Sequence, residues 1–412
     1  MFNTLDDLGA GQRVLVRLDL NSPVEGGAVQ DNRRFSRHAE TVRELVAGDH
    51  RIALMAHQGR PGDDDFVSLE QHADILAEHV DHPVGFVPDT YGEAAIEAIR
   101  DLEAGDVLLL ENVRMTDDEL PEKPPAEHAE SAFVQTLAPE FDAYVNDAYS
   151  AAHRSHASLV GFPLVLPAYA GRVMEAEYTA NSAIANREFD GDVTMVLGGA
   201  KATDVIDVMT SLVDRVDHFL VGGVTGELFL RAAGHPLGYD VGDMDLYDDQ
   251  WARNRGDIED LLAEYEEKIS LPVDLAYEDA DGERAEVDVD DIEEKSRPYL
   301  DIGSATVESY QPYIAGSAGV FVKGALGMFE DERFSDGTVG VLRSIEQCGC
   351  FSVVGGGDTS RAIGMYGLEE SHFSHVSIAG GAYIRALTGK PLPGVEALTE
   401  SAERESAAEQ SG

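Results

Sequence analysis

Residues 193–213 read VTMVLGGAKATDVIDVMTSLV and contain a short apolar run, two adjacent glycines and a helix-like pattern. The run 193–197 is typical of a buried strand, and residues 203–213 place apolar side chains along one helical face. Glycine between a strand and a helix lets the backbone approach a ligand, and the N-terminus of a helix presents unpaired N–H groups to phosphate. The stretch therefore predicts one strand–turn–helix unit of a parallel α/β sheet.

The same alternation of strands and helices continues along the chain. Helical patterns, such as 68–79, separate short apolar runs, and this order predicts parallel α/β sheets. The strands form two sets, one before about residue 167 and one after about residue 190, and 171–188 is predicted as a helix that joins them. The predicted strands are 14–20, 52–56, 107–110, 143–145, 193–197, 218–221, 319–322, 351–354 and 375–378.

Residues 240–295 differ from the rest in composition, with 22 acidic against 5 basic residues. A helix is predicted at 258–269 and a hairpin at 273–289, turning at Asp281 and Gly282. We interpret this stretch as a solvent-exposed insertion in the domain that holds the second set of strands. The small, polar tail 399–412 is predicted to fray.

The charge balance is strongly acidic. The chain has 78 Asp and Glu against 30 Lys and Arg, a formal net charge of −48, and only 6 of the basic residues are lysines. Such a charge destabilises a compact chain by self-repulsion unless salt screens it, and at 1 M salt the Debye length falls to about 3 Å. A high-salt cytoplasm is therefore predicted, whereas binding to nucleic acid, which needs a basic face, is disfavoured.

Length and hydropathy narrow the class of protein further. A chain of 412 residues with 43% hydrophobic residues is expected to form two or three domains. No apolar run approaches the roughly 18 residues of a membrane span, and the first residues lack a signal-like segment, so a cytoplasmic location is expected. Cys348 and Cys350 are predicted to be small strand residues rather than a metal pair or a disulfide scaffold.

Four predicted strands of the second set run into glycine-rich turns. Four such turns on one sheet favour a nucleotide site, because ligands of open α/β sheets lie at the carboxyl ends of the strands. Asp358 is a candidate ligand of Mg²⁺, and Thr359 is a candidate partner of phosphate. The motifs G-x-x-x-x-G-K-[ST] and G-x-G-x-x-G are absent, which disfavours P-loop NTPases and ordinary dinucleotide-binding proteins. The turns are 198–201, 222–223, 355–360 and 379–381.

The first set of strands is followed by arginines instead. Arginine is the side chain best suited to bidentate capture of phosphate and carboxylate. In a chain of net charge −48, a pocket of Arg34, Arg60, Arg114 and Arg154 would attract a small, highly charged anion. A surface ion pair is the alternative for each arginine taken singly, but their recurrence at strand ends favours the pocket.

In order along nearly the whole chain, these motifs resemble those of the phosphoglycerate kinase family. The number and order of the matches make chance implausible. The family's R-V-D-F-N is similar to residues 17–21, H-x-G-R-P to 57–61, L-L-E-N-V-R to 109–114, H-R-A-H-A-S to 153–158, L-G-G-A-K to 197–201, G-G-G-D-T to 355–359 and L-P-G-V-x-A-L to 392–398.

The resemblance implies an α/β fold with two Rossmann-like parallel-sheet lobes joined by a helix, with a hinge and an interlobe cleft. The first lobe, 1–170, would bind 3-phosphoglycerate, and the C-terminal segment 391–412 would return to it. Residues 171–188 would form the linking helix, and the second lobe, 189–390, would bind the nucleotide.

The resemblance also implies which residues act. Arg34, Lys201, Gly380 and Gly381 are expected to take part in catalysis. Within the nucleotide set given below, Glu330 is expected at the ribose and Asp358 on the metal ion. The implied substrate-binding residues are Asp19, Asn21, Arg34, His57, Arg60, Arg114 and Arg154. The implied nucleotide-binding residues are Gly198, Lys201, Gly222, Lys323, Glu330, Gly355, Gly356, Gly357, Asp358 and Thr359.

The nucleotide motifs depart from the family pattern in places. The family's K-x-x-D-K has a second lysine that contacts nucleotide phosphate, and Val205 stands at that position. The family's N-G-P-M-G-V-F-E begins here with Lys323 in place of asparagine, and its T-G-G-G-A reads IAGGA at 378–382. Lys323 is therefore predicted to restore the charge that is lost at Val205.

The implied activity is reversible transfer of the acyl phosphate of 1,3-bisphosphoglycerate to MgADP, giving 3-phosphoglycerate and ATP in glycolysis and gluconeogenesis. The expected partners are these substrates with Mg²⁺, without nucleic acid or membrane, and a monomer is expected. Two alternatives remain open. One is a kinase of the same fold acting on another small acid; the other is a non-catalytic nucleotide-binding paralogue, for which Val205 is the only indication.

Overall fold

Two parallel sheets organise the chain, and each belongs to its own unit. The structure, a computed structural model, describes residues 2–237, 245–293 and 297–411. Residues 1–179 and 391–412 form unit 1, and residues 180–390 form unit 2. The predicted fold class of two parallel-sheet α/β lobes is confirmed.

The strands of unit 1 are β1 Asn3–Thr4, β2 Arg13–Arg17, β3 Val24–Glu25, β4 Ala28–Val29, β5 Arg51–Met55, β6 Gly85–Val87, β7 Val107–Leu110, β8 Ala143–Asn146 and β9 Ala168–Ala170. Seven of them form a parallel sheet in the order β1-β9-β8-β2-β5-β7-β6, and β3 pairs with β4 antiparallel. Arg17 is in register with Met55 on one side and with Asn146 on the other. The loops that follow β2, β5 and β8 therefore leave the sheet at one edge.

Helices cover the sheet of unit 1 because their apolar faces need burial. In the first helix, Phe35, Ala39 and Val42 are fully buried, and the Asn32 side chain caps the N-terminus by accepting a hydrogen bond from the Arg34 amide. The helices in chain order are α1 Arg33–Ala47, α2 Glu70–Val80, α3 Glu93–Arg100, α4 Pro125–Ala129, α5 Ala132–Leu137 and α6 Arg172–Asn181.

The linking segment differs from its prediction as one helix over 171–188. Helix α6 ends at Asn181, and a separate short helix, α7 Ala183–Asn186, follows it. The chain passes from unit 1 to unit 2 within α6, after Thr179.

The strands of unit 2 are β10 Val193–Leu197, β11 His218–Val221, β12 Ile269–Ser270, β13 Asp274–Glu278, β14 Arg284–Asp288, β15 Asp301–Ile302, β16 Gly319–Lys323, β17 Phe351–Gly355 and β18 His375–Val376. A parallel sheet has the order β12-β11-β10-β16-β17-β18, and β14-β13-β15 form a small antiparallel sheet. None of the described helices is long and apolar enough to cross a membrane. The further helices are α8 Ala202–Leu212, α9 Gly223–Ala232, α10 Asp245–Tyr265, α11 Ser304–Gly316, α12 Asp336–Cys348, α13 Gly357–Met365 and α14 Gly381–Leu387.

The acidic stretch 240–295 combines a long helix with the predicted hairpin. Strands β13 and β14 pair antiparallel across Asp281 and Gly282, and Gly282 has a φ of +82°. Where a helix was predicted at 258–269, the structure has the longer helix α10, which begins at Asp245 and ends at Tyr265. Residues 240–244 and 294–295 of this stretch lie outside the described residues.

The C-terminal segment of unit 1 forms a last helix, α15 Pro393–Ser411. The prediction that 399–412 frays is therefore wrong as far as residue 411. Ser401 Oγ accepts a hydrogen bond from the Ala168 amide at 3.1 Å, and Arg404 donates to the Pro163 carbonyl at 2.8 Å. These tertiary contacts hold the helix in place, and its many Ala and Glu residues favour helix formation by themselves.

Cys348 and Cys350 form a disulfide, with their Cα atoms 5.3 Å apart. The prediction that both are strand residues is therefore wrong. Cys348 ends α12, and Cys350 precedes β17. Gly349 between them has a φ of +65°, in the left-handed region, and this turn brings the two side chains together.

Candidate active site

The carboxyl edge of the unit 1 sheet carries a buried polar cluster around Asp19. Asp19 follows β2 and is 2% exposed. Its Oδ2 accepts hydrogen bonds from Arg34 Nη1 at 2.6 Å and from Ser150 Oγ. Its Oδ1 accepts from the Asn21 amide at 3.1 Å, and the Asn21 side chain accepts from the Gly59 amide at 2.9 Å. These bonds join the loops that follow β2, β5 and β8.

The charge state of Asp19 follows from this environment. Burial by itself raises the pKa of Asp19, but the charge of Arg34 and the Ser150 hydrogen bond outweigh it and lower the pKa below its ordinary value. Asp19 is therefore a carboxylate at neutral pH that holds the Arg34 guanidinium in place. The Arg34 side chain is 27% exposed, so part of its donor fork faces outward.

His57, which follows β5, is neutral in the same cluster. Burial lowers its pKa well below the ordinary value; Asp19 raises the pKa, but the charges of Arg17 and Arg114 lower it further. His57 Nδ1 lies 3.0 Å from Arg17 Nη2. Because a guanidinium only donates, Nδ1 is the acceptor, and the imidazole proton resides on Nε2. His57 thus presents an N–H donor through Nε2.

Several guanidinium groups crowd at this edge. Burial, and then the charges of Arg154 and Arg17, lower the pKa of Arg114 to about 10. Burial and the charge of Arg60 likewise lower the pKa of Arg154. Arg114 also donates to the Gly59 carbonyl, which fixes its position. Cations that repel one another in a partly buried place are stabilised by an anion.

Arg17, the last residue of β2, holds members of this cluster in position. The sequence did not indicate this role. It is 1% exposed, although strand-end arginines are usually solvated. Arg17 Nε donates to Ser158 Oγ at 2.8 Å, and Ser158 Oγ donates to Glu119 Oε1 at 2.8 Å. Glu119 Oε1 lies 4.0 Å from Arg17 Nη2 and neutralises the buried charge. Arg17 is therefore a positioning residue for His57.

A second buried pair connects the cluster to α6. His38 Nε2 is the partner of the Asp19 amide at 3.3 Å, and His38 Nδ1 lies 2.7 Å from Asp147 Oδ2. Asp147 Oδ1 accepts hydrogen bonds from the amides of Val173 at 2.8 Å and Met174 at 3.3 Å, in the first turn of α6. Only the tertiary structure shows this chain of bonds, because its central pair, His38 and Asp147, is separated by 109 residues.

The seven residues predicted to bind the glycerate substrate all lie at this edge of unit 1. Hydrogen bonds or charge interactions link each of them to another member or to its supports. Arg60 is exposed, and its charge lies close enough to the Arg154 guanidinium to lower the pKa of Arg154. The seven are Asp19, Asn21, Arg34, His57, Arg60, Arg114 and Arg154.

In unit 2, the turns that follow β10 and β16 touch each other. The Gly198 amide donates to the Lys323 carbonyl at 2.9 Å, and the Gly199 amide donates to the Ala325 carbonyl at 2.7 Å. A Cβ on Gly198 would overlap the Ala325 carbonyl oxygen. Gly199 has a φ of +95°, which L side chains rarely adopt. The contact between the two turns therefore requires both glycines.

The other predicted glycines divide into two kinds. A Cβ on Gly222 would lie 2.7 Å from the Leu326 side chain, and one on Gly355 would overlap the Tyr383 ring, so packing within the protein requires these two. Gly357 and Gly380 have no described atom within 4 Å of a Cβ position. The second kind leaves the backbone open to a ligand. Gly356 has a φ of +101°, and Gly380 and Gly381 begin α14.

Two lysines bring positive charge to these turns. Lys201 is exposed at the start of α8, and Lys323 is the half-buried last residue of β16. Burial lowers the pKa of Lys323, Lys201 lowers it further, and Asp204 and Asp358 raise it. The four side chains, from three different elements, therefore lie within electrostatic range of one another. Neither lysine forms an ion pair with a residue that the structure describes.

Two further predicted nucleotide residues already have protein partners. Thr359 is buried, and its Oγ1 donates to the Gly355 carbonyl at 3.3 Å. Glu330 is exposed and lies 3.4 Å from Arg361 in an ion pair. A cavity of about 220 Å³ opens beside these turns. Its wall includes Gly199, Gly223, Ala325, Met328, Glu330 and Asp358.

Asp358 fits a magnesium ion that arrives with a nucleotide. It is exposed at the start of α13, next to the open Gly357 turn. Within the described ranges, no group of three metal-ligating side chains exists. Mg²⁺ is commonly held by one or two carboxylates together with substrate phosphates, so a single aspartate suits it.

Comparison with known proteins agrees with this geometry. The family model described as phosphoglycerate kinase matches residues 5–390. The chain belongs to the phosphoglycerate kinase family. It is 70% identical to a phosphoglycerate kinase of Halorubrum lacusprofundi over 404 residues, covering 98% of this chain and 99% of that protein. It is also 70% identical to one of Haloarcula marismortui over 397 residues, covering 96% and 99%.

A crystal structure of phosphoglycerate kinase from Pyrococcus horikoshii has a TM-score of 0.90 and 33% identity to this chain, with 98% of this chain and 100% of that one covered. The predicted family and the predicted class of enzyme, a phosphotransferase, are confirmed. The relatives in Halorubrum and Haloarcula confirm the halophilic character that the charge of −48 predicted.

The departure at Val205 from the phosphoglycerate kinase motif has a structural consequence. Val205 is completely buried on α8, in the apolar interior of unit 2. The positive charge near the N-terminus of α8 therefore comes from Lys201, which caps the helix, and from Lys323 on β16, the strand that pairs with β10. The hydrophobic pattern of α8 could have predicted that Val205 faces inward.

Proposed function

We propose that this chain transfers the acyl phosphate of 1,3-bisphosphoglycerate to MgADP and catalyses the reverse reaction with 3-phosphoglycerate and MgATP. The buried cluster of mutually repelling arginines in unit 1, in a chain of net charge −48, is the observation that carries the proposal. Such a cluster selects a small, highly charged anion over neutral metabolites.

In this proposal, unit 1 binds the glycerate anion. The guanidinium groups of Arg34, Arg114 and Arg154 pair with its phosphate and carboxylate, which suit a planar donor fork. His57 donates from Nε2, and Asp19 orients Arg34 through the 2.6 Å bond. Because Asp19 stays ionised, Arg34 is held in one position before the substrate arrives.

Unit 2 binds the nucleotide in the same proposal. The open backbone of Gly356 and Gly357 receives the phosphates, and Lys201 and Lys323 neutralise their charge. Asp358 holds the Mg²⁺ that accompanies the nucleotide. Glu330 would bind the ribose, and this requires the exposed pair with Arg361 to open, which costs little in molar salt.

The chemistry needs no general base. An oxygen of the β-phosphate of ADP attacks the phosphorus of the acyl phosphate, the bond from phosphorus to the carboxyl oxygen breaks, and the carboxylate leaves with its electron pair. A carboxylate is an equally competent nucleophile in reverse. The protein contributes positioning, with reacting atoms within about 3.5 Å, and cations that balance the charge of the phosphoryl group. Arg34, Lys201, the open backbone at Gly380 and the neighbouring Gly381 at the start of α14 are proposed to supply this stabilisation.

A coupled assay tests the proposed reaction. In molar KCl, the purified chain with 3-phosphoglycerate and MgATP should form ADP at a rate that saturates with both substrates. Glycerate, lactate and acetate under the same conditions separate this activity from a kinase acting on another small acid. Tight MgADP binding without turnover on any acid would instead indicate a non-catalytic nucleotide-binding protein.

The variant Arg114→Ala and a matched surface control, Arg253→Ala, link the activity to the cluster. Arg253 is exposed on α10 in a weak ion pair, so its loss should leave the rate unchanged. Loss of activity in both variants would mean that general destabilisation, rather than the cluster, explains the effect.

We also propose that the enzyme is a cytoplasmic monomer. The charge of −48 suits a high-salt cytoplasm, and each proposed substrate site is built from residues of a single chain. Light scattering across KCl concentration measures the mass in solution. A mass near twice 44.4 kDa would show a dimer instead.

A further inference from the structure

Glu227 is a buried carboxyl group that faces the cavity of unit 2. It lies on α9, five residues after Gly222, and is 4% exposed. The same cavity borders Gly199, Gly223 and Asp358, the turns proposed to receive the nucleotide. Among the described residues, no donor or acceptor bonds to Glu227 Oε2. Neither the motifs nor the proposed reaction gives this side chain a role.

A buried, unpartnered carboxyl is costly to keep unless something binds it. A buried polar atom without a hydrogen bond loses its contacts with water and gains none in return. Burial raises the pKa of Glu227 to about 8, so the group is a neutral carboxylic acid near pH 7. A neutral carboxylic acid offers one O–H donor and one carbonyl acceptor on adjacent atoms.

The other carboxyl groups of the cavity have different surroundings. Asp301 Oδ2 accepts from Arg284 Nη1 at 3.0 Å and from the Gly337 amide at 2.8 Å, although Asp301 Oδ1 has no partner among the described residues. Glu330 and Asp358 are exposed, so water satisfies them. Of the described carboxyl groups that line the cavity, Glu227 alone is both buried and without a side-chain partner.

Much of the rest of the cavity wall is apolar. Leu275, Ile302, Leu326 and Phe329 line it, and each is at most 2% exposed. Apolar walls with one polar group that fixes orientation suit a flat ring with a hydrogen-bonding edge. Adenine presents such an edge, because its exocyclic amine donates beside a ring nitrogen that accepts. The donor and acceptor of a neutral carboxylic acid complement this pair.

We propose that Glu227 is a specificity-determining residue of the nucleotide pocket, which accepts a hydrogen bond from the exocyclic amine of adenine and donates one to the adjacent ring nitrogen. This inference rests on the proposed function, since it places the nucleotide in the cavity of unit 2. A pocket with this contact discriminates against purines that lack the amine, because Glu227 would then stay unpaired.

Isothermal titration with two nucleotides tests the contact. MgADP is compared with the Mg²⁺ complex of purine riboside diphosphate, which lacks the amine, in molar KCl at pH 7. In the wild-type chain, loss of the amine should weaken binding roughly tenfold. In Glu227→Leu the two nucleotides should bind equally, and in Glu227→Gln, which keeps an acceptor and a donor, the preference for ADP should largely return.

Control variants separate this contact from folding. Glu264→Gln changes an exposed glutamate of α10 and should leave the preference intact. Glu227→Asp withdraws the carboxyl group by one methylene and should lose the preference, so it decides the question if Glu227→Leu does not fold. An equal tenfold preference in wild type, Glu227→Leu and Glu227→Asp would overturn the inference while the proposed function stands. If folded wild-type chain bound neither nucleotide, the proposed function itself would fail.

Discussion

Replacing Glu227 by glutamine should change how the stability of unit 2 depends on pH. Burial raises the pKa of this carboxyl to about 8 in the folded chain, whereas the ordinary pKa of a glutamate is 4.5. Between these two values the folded state binds one proton more than the unfolded state. Stability of the wild-type chain therefore falls as pH rises through this window, and the glutamine variant lacks this contribution.

The magnitude follows from the shift of the pKa. One pKa unit corresponds to about 1.4 kcal/mol, so the contribution of Glu227 should fall by about 4 kcal/mol between pH 5 and pH 8. The free energy of unfolding of Glu227→Gln, relative to wild type, should rise by that order over the same range. All other titrating groups are common to both chains and cancel in the difference.

Tryptophan fluorescence during urea unfolding in molar KCl measures this difference. Trp251 is the only tryptophan of the chain and lies on α10, so its signal reports on unit 2. Melts at pH 5, 6, 7 and 8 give the difference between the variants at each pH. A constant difference from pH 5 to pH 8 would show that Glu227 has an ordinary pKa, and the account of its burial would be refuted.

Four further predictions concern the arginine cluster of unit 1, the lysines of unit 2 and the net charge of the chain. Lys201→Ala should lower kcat roughly 10²–10³-fold in the coupled assay, the scale for one lost charge contact, and a change below about threefold in a folded variant would remove Lys201 from the site. Arg34→Ala and Arg154→Ala should each weaken 3-phosphoglycerate binding in calorimetry while MgADP affinity stays nearly unchanged; equal losses for both ligands would contradict the assignment. Lys323→Asn should raise the Kd for MgADP about tenfold, whereas Lys390→Asn, which removes a surface pair with Asp207, should not. The melting temperature should rise from about 0.5 M towards molar KCl as screening removes repulsion, and a value independent of salt would contradict the halophilic interpretation.

Periodicity predicted the central strands of both parallel sheets but missed β1, β6, β9 and β12. Short apolar runs and the glycines after them are local signals, so 107–110, 193–197 and 218–221 match the observed strands to the residue. Composition predicted the halophilic character, because charge is a sum over the chain and needs no coordinates. The ordered motifs predicted the family.

The environments of particular side chains could not be predicted in this way. Glycine signals did not show that Gly198 and Gly355 serve packing while Gly357 stays open, because the difference depends on Ala325 and Tyr383, which lie far away along the chain. The contacts that hold the helical tail 399–411 on unit 1 go to Ala168 and Pro163, more than 200 residues earlier in the chain, so they too lie beyond local prediction.

The sequence by itself determined the class of fold, the family and the residue types at the strand ends, since these follow from local spacing and order. The tertiary structure alone decided which of these groups are charged. Arg17 at His57, Arg34 at Asp19 and the apolar wall around Glu227 come from distant segments. The pKa of a group depends on burial and on charges within a few ångströms, and only folding sets those distances.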